Sequence, residues 1–172
     1  MGHYTELHFN AEIRKDAPKR VTDTLSILVR GDFGSYREEG KWMCHDDLRI
    51  DVDHPFFRLS RSTTMLTCDS CYFSSESFST FKFDKYAKAW ILCVRCNLKN
   101  YNDEIELFLD WVLPYVESEP GNMLGFFRYE YDPVPTLIYK TLEPENGVTC
   151  DNKVLCPFVV QDRTRPEPCG NA

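Results

Sequence analysis

Residues 4–14 alternate in character. Thr5, Leu7, Phe9, Ala11 and Ile13 fall on one side, and Tyr4, Glu6, His8, Asn10 and Glu12 on the other. Successive strand side chains point to opposite faces, so the stretch predicts a half-buried strand with a polar second face. The period then changes. Val21, Leu25 and Leu28 recur at helical spacing behind Asp16, a candidate N-cap, and Pro18, a first-turn residue, and Gly31 supplies a stop.

Residues 32–61 hold no sustained period. Gly34, Gly40, Asp46-Asp47 and Asp51 to Pro55 break the pattern, leaving short strand readings at 48–50 and 56–59. Residues 64–73, 78–86 and 89–98 then read as three strands. In the last, Trp90, Leu92, Val94, Cys96 and Leu98 face inward, and Ile91, Cys93, Arg95 and Asn97 face outward. Next comes the strongest amphipathic helix, with Asp103 and Glu104 in its first turn and a stripe of Ile105, Phe108, Leu109, Val112 and Val116. Pro114 should bend or end it. Residues 124–131 and 136–142 read as paired strands around Asp132-Pro133-Val134-Pro135. A second hairpin is predicted around Asp151-Asn152.

The order β-α-loop-β-β-β-α-β-β predicts an α+β fold. Layer rules make it a two-layer structure, a mostly antiparallel sheet of five to seven strands with two helices packed on one face. With 172 residues in all, 1–142 form the expected single domain, 143–160 a C-terminal hairpin extension and 161–172 a disordered tail. The second sheet face would carry Tyr4, His8, Asn10, Glu12, Cys93 and Arg95.

Charge narrows the function. A net charge of −7 lacks the basic field that direct nucleic-acid binding requires; it suits plain solubility first, and also docking on a basic surface or mimicry of nucleic acid. Met1 to Glu6 show no secretory pattern, and no apolar run approaches bilayer length, so the expectation is a cytoplasmic protein without membrane contact.

Eight cysteines raise the question of metal. Cys68/Cys71 and Cys93/Cys96 have the spacing of a four-thiolate zinc site. Yet neither pair carries the Gly or Pro of a zinc knuckle, and both lie in strand-like runs. There, positions i and i+3 point to opposite faces, which favours cysteines used as small packing residues over zinc. Neither pair precedes a helix, as a redox dithiol would. A second candidate is the loop holding Cys44, His45, Asp46, Asp47, Asp51, Asp53 and His54. A metal-dependent hydrolase could use His45, Asp47, Asp53 and His54, although aspartates are also ordinary loop residues. No nucleophile elbow, phosphate loop or dinucleotide fingerprint occurs, and no residue is assigned a catalytic role.

Aromatic residues make up 14% of the chain and concentrate in 101–142. Residues 125–131 carry aromatics on both strand faces, so either one set is available as anchors for a partner or planar ligand, or the strand is central and both faces are buried. The run 99–105, then Phe108, Trp111 and Pro114-Tyr115, then Leu124 to Glu130, resembles small phage-encoded accessory proteins of unknown function. The resemblance covers the middle third and implies work inside a bacterial host by binding a host protein or a signalling ligand. The expected function is therefore non-enzymatic binding or inhibition of a protein partner or small polar ligand. His8, Asn10, Arg95, Tyr101, Phe127, Tyr129 and Tyr131 are the candidate contact residues. The alternatives are a zinc-stabilised module on the two cysteine pairs and the hydrolase loop.

Overall fold

The computed structural model describes residues 3–31, 54–70, 73 and 76–140. Among these residues, six strands form one open antiparallel sheet in an α+β arrangement with two helices. They are β1 (Thr5–Ile13), β2 (Phe78–Asp84), β3 (Ala89–Leu98), β4 (Val116–Glu117), β5 (Met123–Tyr129) and β6 (Thr136–Tyr139). The helices are α1 (Lys19–Arg30) and α2 (Glu104–Val112). The strand order is β2-β3-β1-β5-β6, with β4 also pairing β1.

The N-terminal strand is central. β1 pairs along its whole length with β3, and on its other side with β5 at Thr5 to Phe9 and β4 at Glu12 and Ile13. Its alternation explains this placement. Thr5, Leu7, Phe9, Ala11 and Ile13 are all buried, as the period-two pattern requires. Leu92, Val94, Cys96 and Leu98 extend the buried face across β3. They share one cluster with Val21, Leu25 and Leu28 of α1 and Ile105, Phe108, Leu109 and Val112 of α2. Phe108 meets Phe9 edge-on, with ring centroids 6.2 Å apart, and Phe56 lies 5.6 Å from Phe108.

Several local expectations are corrected. Asp16 does not cap α1. Pro18 holds that position, and the Asp16 carboxylate instead takes two bonds from the Arg14 guanidinium, at 2.9 and 2.6 Å. Gly31 ends α1 in the left-handed conformation, with its N–H donating to the Ile27 carbonyl. Residues 56–59 are not a strand, because Pro55–Arg58 form a 3-10 turn that Pro55 opens and the His54 ring caps. Nor is there a strand at 64–70, where Met65–Thr67 form another 3-10 turn. The hydroxyls of Ser62, Thr64 and Thr67 each donate to the carbonyl three residues back, and such bonds compete with a strand ladder. Pro114 ends α2 as expected, with Leu113–Tyr115 as a final tight turn, but Val116 leaves the predicted helical stripe for β4. The readings at 48–50, 143–160 and 161–172 lie outside the described residues.

The start of α2 is built by Asn100. Asp103 sits at the cap position in a left-handed conformation without a side-chain cap bond. The Asn100 Oδ1 accepts from the Ile105 N–H at 2.8 Å, and its Nδ2 donates to Glu106. Buried Glu104 accepts from the N–H and side chain of Asn102. The run 99–105 is thus a helix start satisfied by its own side chains.

Candidate functional site

The second face of the sheet follows from the same alternation. Register places Phe78, Arg95, His8, Phe126 and Leu137 in one row across five strands. Asn10 lies opposite Cys93 in the next row, so His8, Asn10 and Arg95 come together as the alternation predicts. The His8 ring stacks on Phe126, with centroids 4.5 Å apart and planes 13° from parallel. The Arg95 Nε donates to the Glu76 carbonyl at 2.8 Å. On the other side of the row, buried Glu6 accepts from the Arg128 Nε at 2.7 Å and lies 3.4 Å from the His8 Nε2. The Arg128 guanidinium in turn lies over the Phe73 ring at 5.6 Å.

A second group gathers where β1 begins and β5 ends. Glu130 donates its backbone N–H to the Tyr4 carbonyl, which continues the β1–β5 pairing by one step. The His3 ring lies 5.7 Å from Tyr129 and 5.4 Å from Tyr131, and these two tyrosines are 5.5 Å apart. The His3 backbone N–H donates to the Tyr101 hydroxyl at 2.8 Å, and the His3 Nδ1 lies 3.1 Å from the Glu130 Oε1. Tyr101 is 56% exposed and Tyr131 70%. Lys99 stands over the neighbouring Tyr4 ring at 5.5 Å. Desolvation first, and behind it the charge of Glu130, hold the Tyr129 hydroxyl above the ordinary phenol range.

Tyr101, Tyr129 and Tyr131, singled out from sequence, thus belong to one surface cluster. Phe127 does not join it. It pairs with Leu7 and packs partly buried against the core. Sequence reasoning missed His3, Glu130, Glu6, Arg128 and Phe126. For His8–Phe126 and Glu6–Arg128 the only available signal was the strand alternation, which cannot reveal register between strands so far apart.

Cys93 faces the polar side opposite Asn10, whereas Cys96 is buried opposite Leu7. Period-two geometry therefore turns these two thiols away from each other. Cys68 is partly buried and its carbonyl accepts from the Asn97 N–H, while Cys71 lies outside the described residues. Burial pushes the Cys96 thiol far above its usual range and raises Cys68 as well.

Of the proposed hydrolase residues, only His54 is described. Its Nδ1 accepts from the Phe56 N–H at 3.3 Å and its Nε2 lies 3.2 Å from the Asp110 carboxylate. Those partners assign the proton to Nε2 and occupy both ring nitrogens. Among the described residues, no group of three or more His, Cys, Asp or Glu is arranged to hold a metal ion. None of the described helices is long and apolar enough to cross a membrane.

The chain matches no family, no curated protein and no solved structure.

Proposed function

We propose that the protein is a non-enzymatic binding protein that acts on a protein partner through the surface where β1 begins and β5 ends. The supporting observation is the cluster of His3, Tyr101, Tyr129 and Tyr131, with Tyr101 and Tyr131 largely solvent-exposed beside the Glu130 carboxylate. Tyrosine offers a large contact area at low entropic cost and is enriched among residues that dominate interface energies. The His8–Phe126 stack and the Glu6–Arg128 pair lie on the opposite face of β1 and β5 and stay outside this surface. The net charge of −7 favours a basic partner and speeds encounter with it. In keeping with the resemblance to phage accessory proteins, the partner belongs to a bacterial host.

The test compares capture from host lysate by the wild type and by a Tyr101→Ala/Tyr131→Ala double variant. The wild type is expected to retain a specific protein and the variant to lose it, with an unchanged melting temperature. Equal capture by both would remove this surface from the function.

A further inference from the structure

Glu130 carries a need that its surroundings do not meet. Its side chain is only 9% exposed, and while Oε1 is held by the His3 ring, Oε2 is buried with no hydrogen-bond partner among the described residues. Buried carboxylate oxygens are ordinarily paired, because the lost hydration must be replaced. An imidazole cannot do this for both oxygens, since it offers one donor in each direction.

The groups around the carboxylate suit a different cation. Tyr129 and Tyr131 place their rings against His3, and Tyr101 approaches from the start of α2. A guanidinium is planar, donates to both oxygens of a carboxylate in parallel and stacks on aromatic rings. An ammonium is a compact point charge without that fork. The contact of Lys99 with the Tyr4 ring shows cation–aromatic packing immediately alongside.

We infer that Glu130, Tyr101, Tyr129 and Tyr131 form a socket for an arginine side chain of the protein partner, filled by the chain's own His3 in the unbound state. His3 is suited to leave. Its side chain is 49% exposed, and it precedes the first residue of β1. Its departure frees the Glu130 Oε1, leaving both oxygens open to one guanidinium, and uncovers the Tyr129 and Tyr131 rings. His3 therefore competes with the incoming arginine, and displacing it lowers the net affinity.

This assignment rests on the proposed binding surface, and the experiment separates the two. The isotope-labelled full chain is titrated with N-acetyl-arginine amide, and in parallel with N-acetyl-lysine amide, while backbone amide shifts are followed. The arginine probe is expected to shift Tyr101 and Tyr129 to Tyr131, and the lysine probe to act more weakly. His3→Ala should tighten arginine binding roughly tenfold, and Glu130→Gln, which keeps the side-chain shape, should weaken it by at least about tenfold. Absence of these shifts in His3→Ala, or equal binding by Glu130→Gln, overturns the socket. Partner capture that survives Glu130→Gln but fails in the Tyr101→Ala/Tyr131→Ala variant removes the socket and keeps the binding surface. Capture unaffected by either change removes both.

Discussion

Individual residues on the two sides of β3 have opposite chemical fates. Cys96 is buried beside Leu7, and its thiol is held protonated well above its ordinary pKa of 9.0 by desolvation, with a smaller contribution from Cys68. The folded state therefore binds this proton more tightly than the unfolded chain does. The resulting stability is complete below pH 9.0 and declines as the pH rises beyond it, because the unfolded thiol ionises first. Thermal melting from pH 8 upward should show a steeper alkaline fall for the wild type than for Cys96→Ala, and parallel curves would contradict the assignment. The sequence made the opposite orientation of Cys93 and Cys96 legible, since strand alternation alone separates positions i and i+3. It could not reveal that His3 meets Glu130 or that Glu6 meets Arg128. Those pairs join residues more than a hundred positions apart, and no local period encodes such a meeting.

Among the elements, β1, β3 and α2 were the most legible because each buries a stripe at its own period. The two 3-10 turns were not, because apolar and β-branched composition at 56–59 and 64–70 imitates a strand. Side-chain bonds to nearby backbone, from His54, Ser62, Thr64 and Thr67, decide the conformation there instead. The irregularity in β5 was equally hidden. Gly125 has φ of 157° beside a register shift, and a Cβ added there would lie 1.9 Å from the His8 carbonyl oxygen. That backbone cannot yield without breaking the β1–β5 pairing, which also carries the His8–Phe126 stack. Gly125→Ala should therefore cost about 3 kcal/mol or more in urea unfolding. Gly121→Ala has open space around the added carbon and should cost only about 1–2 kcal/mol, from its positive φ. Similar losses at the two positions would refute the close approach as the reason for Gly125.

At the scale of the whole molecule, the fold puts its first strand in the middle of the sheet. This brings His3 beside Tyr129 to Tyr131, and the start of α2 beside both. The α+β class and the antiparallel sheet could be read from the order of periods along the chain. The surface cluster could be read only in part, as aromatic surplus in 101–142, because its assembly depends on where β1 inserts. This composite surface is the proposed contact with the partner. Hydroxyl-radical footprinting of the free protein and the purified complex tests it most directly, since exposed tyrosine rings report their own cover. Tyr86, which is 99% exposed in the β2–β3 turn, serves as the internal reference. Oxidation at Tyr101 and Tyr131 is expected to drop severalfold on binding, with Tyr86 unchanged. Undiminished oxidation at Tyr101 and Tyr131 in a saturated complex would contradict it.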